Sequence, residues 1–254
     1  MTTSQPPEIN LQGRRVLVTG AARGLGEAFA RALVASGARV ALSDVLHARG
    51  QALARELGDT AFYVPMDLMD AASITAGVAA AADALGGLDG LVNNAAITNS
   101  GGKTMDQLDA DVWDQVMQVN VRGTWLVTVA AQPHLAASGS GRVVNIASDT
   151  AMWGAPRLMA YIASKGAVIA MTRGMAREMG AQGTTVNAIA PGLTLVEATS
   201  YVPEERHATY LQGRAVQRPQ VPEDVTAATL FLLTRGSGFI TGQLLPVNGG
   251  FVMN

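Results

Sequence analysis

The stretch VLVTGAARGLGEAF, residues 16–29, decides the fold. An aliphatic run, Val16-Leu17-Val18, stops at Thr19, glycines follow at 20, 24 and 26, and the Ala-rich helical pattern GEAFARALVASG begins on the last of them. Glycine permits a tight turn and lets another group approach the backbone closely. The first N–H groups of a helix lack intrahelical partners, so they attract anions. Strand, glycine turn and helix in that order predict a βα unit able to hold a pyrophosphate. The spacing is G-x-x-x-G-x-G rather than the commoner G-x-G-x-x-G. An ordinary glycine-rich turn is the bland alternative, and the strand-before, helix-after context weighs against it.

The same alternation runs along the chain. RRVLVTG, ARVALSD, AFYVPMD, LDGLVNN, GRVVNIAS, TTVNAIAPG and QLLPVNGG are strand-like, and helical stretches such as HARGQALARELG lie between them. Such alternation predicts an α/β fold: a doubly wound parallel sheet of about seven strands, with helices on both faces. A length of 254 residues suits one such domain. Residues 1–10 are expected to be a loose polar tail and 11–254 a single domain. The long irregular region 193–218, containing YVPEERHATYLQGRA, is expected to carry one or two short helices and to act as a substrate-binding loop or lid.

Composition narrows the function. The net charge is −2 and there is no basic run, so neither nucleic acid nor an anionic membrane surface is an expected partner. With no cysteine there are no disulfides and no thiolate chemistry, which fits a reducing compartment; a cytoplasmic location is the expectation. His47, His134 and His207 are too scattered to suggest a metal site. The N-terminal MTTSQPPEIN has neither a signal pattern nor a spanning segment.

Ligands of doubly wound sheets bind beyond the carboxyl ends of the strands, so the polar residues there are informative. Asp44 follows Gly20 by 24 residues, near the place where an acidic side chain accepts hydrogen bonds from ribose hydroxyls. A carboxylate there repels a 2′-phosphate, which favours NAD over NADP; Arg23 in the glycine loop pulls weakly the other way. Asp67 could meet an adenine amino group with Leu68 beside the ring, and Asn93 and Asn94 could cap their strand or hold the ribose region. Each of these also has a plain reading as a turn former. In MAYIASKGAVIAMTRGMARE, residues 159–178, Tyr161 and Lys165 stand one helical turn apart. The bland reading is a surface Tyr beside a Lys whose stem snorkels to water.

Taken together, TGAARGLG (19–26), NNAA (93–96), Asn120 in VNVRG, Ser148 in NIAS, YIASK (161–165) and Pro191-Gly192 resemble the motifs of the short-chain dehydrogenases/reductases, in their order and at their spacing. The resemblance runs from about Leu11 to the end. It implies a Rossmann-like fold, a nicotinamide cofactor and a catalytic tetrad of Asn120, Ser148, Tyr161 and Lys165. It places Gly20, Arg23, Gly24, Leu25, Gly26, Asp44, Asp67, Leu68, Asn94, Ala95, Tyr161, Lys165, Pro191, Gly192 and Thr194 at the cofactor. It also implies a homotetramer paired through the apolar helices around 104–136 and 156–180. Two positions depart from the family pattern. Ala96 stands where glycine is usual, and Val196 stands where threonine is frequent, leaving Thr194 as its substitute.

The residue types supply the chemistry. Oxidising an alcohol needs a base for the hydroxyl proton, and a free tyrosine, with a pKa of about 10, is too weakly ionised at neutral pH. The Lys165 ammonium and a positive nicotinamide both favour phenolate. Tyr161 then serves as base in oxidation and acid in reduction. Ser148 steadies charge on the substrate oxygen. Lys165 also holds the nicotinamide ribose, and the resemblance gives Asn120 a water-mediated proton link from Lys165 to solvent. Ala151, Met152, Trp153, Met159, Ile97, Thr98 and Tyr201 are pocket candidates, with Arg157 the one nearby charge. They suit a small-to-medium hydrophobic secondary alcohol or ketone, aromatic ones included. A 3-oxoacyl-carrier-protein reductase using NADPH is the alternative, opposed by Asp44. A catalytically silent dinucleotide-binding regulator is a further alternative, opposed by the complete tetrad.

Overall fold

The computed structural model describes residues 9–98 and 102–254. Of the expected tail, residues 1–8 lie outside the described residues. Seven strands form one sheet: β1 (Arg15–Thr19), β2 (Arg39–Asp44), β3 (Ala61–Pro65), β4 (Gly90–Asn93), β5 (Arg142–Ile146), β6 (Thr185–Pro191) and β7 (Leu244–Val247). Their order is β3-β2-β1-β4-β5-β6-β7, and every pairing is parallel. The seven stretches read as strands in the sequence each supply one. The winding reverses between β1 and β4, which leaves a crevice at their carboxyl ends.

Alternate side chains on each strand enter different cores. Val16, Val18, Val40 and Leu42 pack with Phe29 and Leu33 of α1 (Gly24–Ala35) and with Val225 and Leu233 of α9 (Pro222–Leu233). The same face carries α2 (His47–Leu57) through Leu53. Leu17, Ala41, Leu91 and Val143 face the other way. They meet Ile74 and Val78 of α3 (Ala71–Leu85), Val127 and Leu135 of α5 (Thr124–Ala137) and Met179 of α7 (Met159–Met179). Burial on both sides explains why the strands read as continuous apolar runs. Each of these Val, Leu, Ile, Phe and Met side chains contributes about 1.5–3 kcal/mol of hydrophobic burial.

Three local features position the site. Along α7 the residues Ala160, Ser164, Val168, Thr172 and Ala176 form one buried row at four-residue spacing, and their small size lets the helix lie against β6. Asn120 does not sit in one long α-helix. Between α4 (Ala110–Met117) and α5 the backbone forms a π-helical segment, Gln118–Gly123. Such segments recur at functional sites. Here Gly123 meets the loop after β3, where a Cβ would stand 2.9 Å from that of Leu68. The region 193–218 carries a 3₁₀ turn, Glu197–Thr199, and α8 (Glu204–Gly213). Its base is stitched to the sheet: Thr194 bridges Gln220, whose amide donates to the Val247 carbonyl at 2.6 Å.

Candidate active site

The glycine loop is shaped by contacts that exclude side chains. Gly20 has φ 65°, and a Cβ on it would stand 2.7 Å from the Ala95 Cα. A Cβ on Gly26 would stand 2.0 Å from the Gly20 carbonyl oxygen. Asn94 secures the arrangement, its amide donating to the carbonyls of Thr19 at 2.9 Å and Gly20 at 3.0 Å. The Thr19 hydroxyl accepts from the backbone N–H groups of Asn94 and Ala95, both at 3.1 Å. Asn94 and Ala95 therefore build the loop from β4. No side chain caps α1, so its opening amides, including that of Leu25, have no side-chain acceptor, which is what an anion at a helix N-terminus requires. The Leu25 side chain itself packs against the core. This cradle suits a pyrophosphate.

Asp44, buried at the end of β2, accepts from the N–H groups of Ala22 and Leu46, both at 2.9 Å. One amide to each oxygen leaves lone pairs for a second donor, as ribose hydroxyls would provide. The strand-end cap and the ribose grip are thus compatible at one side chain. Arg23 is already paired: its guanidinium meets Glu197 at 3.3 Å, and Arg49 of α2 meets the same carboxylate at 2.8 Å. That clasp joins the 193–218 region to the cofactor side of the crevice.

Other expectations need revision. The Leu68 side chain is buried in the core with Ile74 and Val78, so only its backbone remains for an adenine. Asp67 is exposed and accepts from the Met69 N–H at 2.9 Å. The Asn93 amide donates to Thr128 Oγ1 at 3.0 Å and to Asn145 Oδ1 at 2.8 Å, linking β4, α5 and β5 inside the protein and leaving neither N–H of that amide for a ligand. Thr194 is buried, and its hydroxyl turns back to the Gly192 carbonyl at 3.1 Å. At the other departure, Ala96 needs no positive φ; among the described residues other than glycine only Arg157 has one, at 61°.

Around the β4–β6 ends the tetrad residues gather. The Asn120 side chain, 1% exposed, accepts from the Ile97 N–H at 2.7 Å and donates to the Ile97 carbonyl at 3.0 Å and to Ser164 Oγ at 3.0 Å. Ser164 in turn donates to the Tyr161 carbonyl at 2.7 Å. Asn120 thus ties the loop after β4 to the turn of α7 that carries Tyr161. Ser148 Oγ accepts from the Thr150 hydroxyl at 2.8 Å, which leaves its own proton for a further acceptor, and it stands near enough to the Tyr161 phenol to pull that group's pKa down. Lys165, 3% exposed, donates from Nζ to the Ile146 carbonyl at 2.7 Å. Burial lowers its pKa to about 8. The bland reading of a snorkelling surface lysine is excluded by this burial.

Burial pushes the Tyr161 phenol well above its usual range, Ser148 pulls it down, and Tyr201 and Asp149 push it up. Lys165 was expected to hold the phenol down. Instead its ammonium points at the Ile146 carbonyl and lies 5.7 Å from the centroid of the Tyr161 ring, and the downward pull on the phenol comes from Ser148. Tyr201 lies near enough to Tyr161 to raise its pKa, Trp153 ends α6 (Thr150–Trp153) five residues after Ser148, and Met152 packs partly into the core. Trp153 Nε1 donates to the Tyr210 hydroxyl at 3.2 Å, and both rings meet Phe251. Sequence reading missed Asp149, Tyr210 and Phe251; aromatic residues in the 193–218 region and at the C-terminus were the available signal.

Among the described residues no cluster of His, Asp and Glu could hold a metal ion, and no helix is long and apolar enough to cross a membrane. A sequence family described as enoyl-(acyl carrier protein) reductase matches residues 20–252. A 3-alpha-(or 20-beta)-hydroxysteroid dehydrogenase of Mycobacterium tuberculosis is 38% identical over 242 residues, covering 95% of this chain and 90% of its own. A 2-(S)-hydroxypropyl-CoM dehydrogenase of Xanthobacter autotrophicus is 36% identical, covering 94% and 97%. A crystal structure of a 3-ketoacyl-(acyl-carrier-protein) reductase from Brucella melitensis, complexed with NADH, superposes with a TM-score of 0.90 at 31% identity, covering 96% and 100%.

Proposed function

The chain belongs to the short-chain dehydrogenase/reductase family, and we propose that it interconverts a hydrophobic secondary alcohol and its ketone with NAD(H). It is an oxidoreductase acting on CH–OH groups; the cofactor choice, the tetrad roles and the substrate are our reading. The observation that carries it is the convergence of Ser148, Tyr161 and Lys165 at the strand ends, across the crevice from the glycine cradle and Asp44.

A nicotinamide held there would supply hydride exchange with the carbinol carbon and, in its oxidised form, a positive charge. The glycine loop and α1 amides would hold the pyrophosphate, Asp44 the adenosine ribose, and Lys165 the nicotinamide ribose. Tyr161 takes the substrate hydroxyl proton in oxidation and returns it to the carbonyl oxygen in reduction. Ser148, whose own proton is not used in its contact with Thr150, donates to the same substrate oxygen as charge develops there. A tyrosine pushed up by burial suits the acid role in reduction at neutral pH and favours alkaline conditions for oxidation. Asn120 fixes the β4 loop against α7, and its water-mediated link from Lys165 belongs to the same proposal.

NAD is favoured over NADP on two observations. Asp44 presents a carboxylate where a 2′-phosphate would enter, and Arg23, the counterweight, is committed to Glu197. Trp125 and Val129, 48% and 47% exposed one turn apart on α5, support assembly through that helix, with a homotetramer as the proposed state. The 193–218 region is proposed as the substrate loop, and the cytoplasm as the site of action.

A second reading is reduction of a 3-oxoacyl thioester. Asp44 was expected to oppose it, yet a reductase so named, 31% identical, is complexed with NADH. Cofactor preference alone therefore does not separate the two. The deciding experiment is a panel of aliphatic, aromatic and steroid alcohols and ketones and a 3-oxoacyl thioester, run with both cofactors and followed by the near-ultraviolet absorbance of the reduced nicotinamide. Turnover of simple secondary alcohols or ketones with NAD(H) is the expected result; turnover of the thioester alone favours the second reading.

A further inference from the structure

Directly after Ser148 stands a carboxylate that the proposed steps do not use, beyond its charge pushing the Tyr161 phenol up. Asp149 is fully buried, and its backbone N–H donates to the Pro191 carbonyl at 3.0 Å, so the residue is fixed between the ends of β5 and β6. Its Oδ1 accepts from the Tyr210 hydroxyl of α8 at 2.7 Å. That hydroxyl accepts in turn from Trp153 Nε1 at 3.2 Å. One oxygen thus joins the Ser148 loop, the substrate-side indole and the helix of the 193–218 region.

The rest of the neighbourhood serves the same joint. The Tyr210 ring stacks on Phe251 with centroids 4.2 Å apart, and the Arg214 guanidinium lies over its face at 5.2 Å. Arg214 is held by the carbonyls of Leu193 and Arg218 and by Gln220. The groups facing Asp149 are therefore Tyr210 and Arg214 from the α8 region, Tyr161 from α7, Asn248 after β7 and the Thr150 N–H of α6. Asn248 stands beside Asp149 without a well-formed hydrogen bond to Oδ2. A buried carboxylate is costly unless its bonds are made. A structural role alone would be met by a neutral side chain; the charge strengthens one bond, the one to Tyr210.

We propose that Asp149, acting through Tyr210, is the positioning residue that anchors α8 and Trp153 over the Ser148 end of β5, and so sets the width of the substrate pocket. This rests on the reading above that the pocket lies between Ser148, Trp153 and Tyr201. The anchor is strongest with Asp149 ionised. Burial raises that carboxyl to about 6, so the bond weakens as pH falls through that value. The pocket loosens toward acid while Tyr161 stays protonated and able to donate in reduction.

The test uses Tyr210→Phe, which keeps the stacked ring and removes only the bridging oxygen, and Asp149→Asn, which keeps an acceptor and removes the charge. Ketone reduction by the wild type should show KM rising below about pH 6. Asp149→Asn should show a flat KM across that range. Tyr210→Phe should raise KM about tenfold or more, the scale of a charge-assisted hydrogen bond, with a much smaller change in kcat. A readout independent of turnover is the emission of Trp153, identified by its loss in Trp153→Phe. It should titrate near pH 6 in the wild type and not in either anchor variant. Unchanged KM in Tyr210→Phe together with an Asp149-independent Trp153 signal would overturn the anchor. If no alcohol or ketone is turned over, the functional reading fails while the Trp153 titration still decides the anchor. Should Tyr210→Phe not fold, Asp149→Asn carries both measurements.

Discussion

Replacing Lys165 with methionine is expected to make the protein more stable at neutral pH while removing its activity. The lysine is 3% exposed, and burial lowers its pKa from 10.5 to about 8. At about 1.4 kcal/mol per pH unit, the buried ammonium opposes folding by about 3 kcal/mol at pH 7. Methionine has a similar length and no charge, so it removes that penalty. It also leaves the Ile146 carbonyl without its 2.7 Å donor, which costs about 1–2 kcal/mol. The net gain is about 1–2 kcal/mol, or about 2–8 °C in Tm for a chain of this size. The sign with pH is fixed by proton counts. Between about pH 8 and 10.5 the unfolded lysine holds a proton that the folded one has lost, so wild-type stability rises with pH across that window. The methionine variant lacks this rise, so its advantage should shrink above about pH 8 and reverse in sign before pH 10.5, where the ammonium penalty has gone and the lost Ile146 contact remains. Thermal unfolding of both proteins without added nucleotide, from pH 7 to pH 10, measures it. A variant less stable than wild type at pH 7, or a gap that stays constant with pH, refutes the reasoning.

Asp44→Ala should narrow an NAD(H) over NADP(H) preference of at least about tenfold in kcat/KM, mainly through poorer NAD(H) use, as steady-state kinetics with both cofactors will show. Gly26→Ala forces a Cβ to 2.0 Å from the Gly20 oxygen, so NADH binding followed by fluorescence should be lost, with a stability loss of about 1–3 kcal/mol. Trp125→Glu should dissociate the assembly proposed through α5, reported by light scattering as a fall in mass with the far-ultraviolet spectrum retained.

The strands and the glycine loop were legible because their causes are local. Val16 to Gly26 shows an apolar run, a turn and a helix start within eleven residues. Lys165 was legible as an anomaly on an apolar helix, and its burial beside Tyr161 accords with that. Its partner was not, because the Ile146 carbonyl is a backbone group 19 residues away. The π-helical segment at Asn120 has no side-chain signature in VNVRG; its last residue, Gly123, packs against Leu68 in the loop after β3, a contact remote in the chain. Leu68 and Thr194 look available in sequence and are buried in the structure, since burial is decided by elements remote in the chain. The same holds for Asp149, whose partner Tyr210 is 61 residues away.

The most direct test of the central claim is the turnover of Tyr161→Phe with NAD(H) and the best alcohol of the panel. The ring remains and only the oxygen facing Ser148 goes, so folding and NADH affinity should stay near wild type. The rate should fall by about 10²–10⁴-fold, the usual contribution of a positioned acid or base. A Tyr161→Phe enzyme that binds NADH normally and keeps most of its kcat would contradict the assignment of Tyr161 as the proton-transfer group.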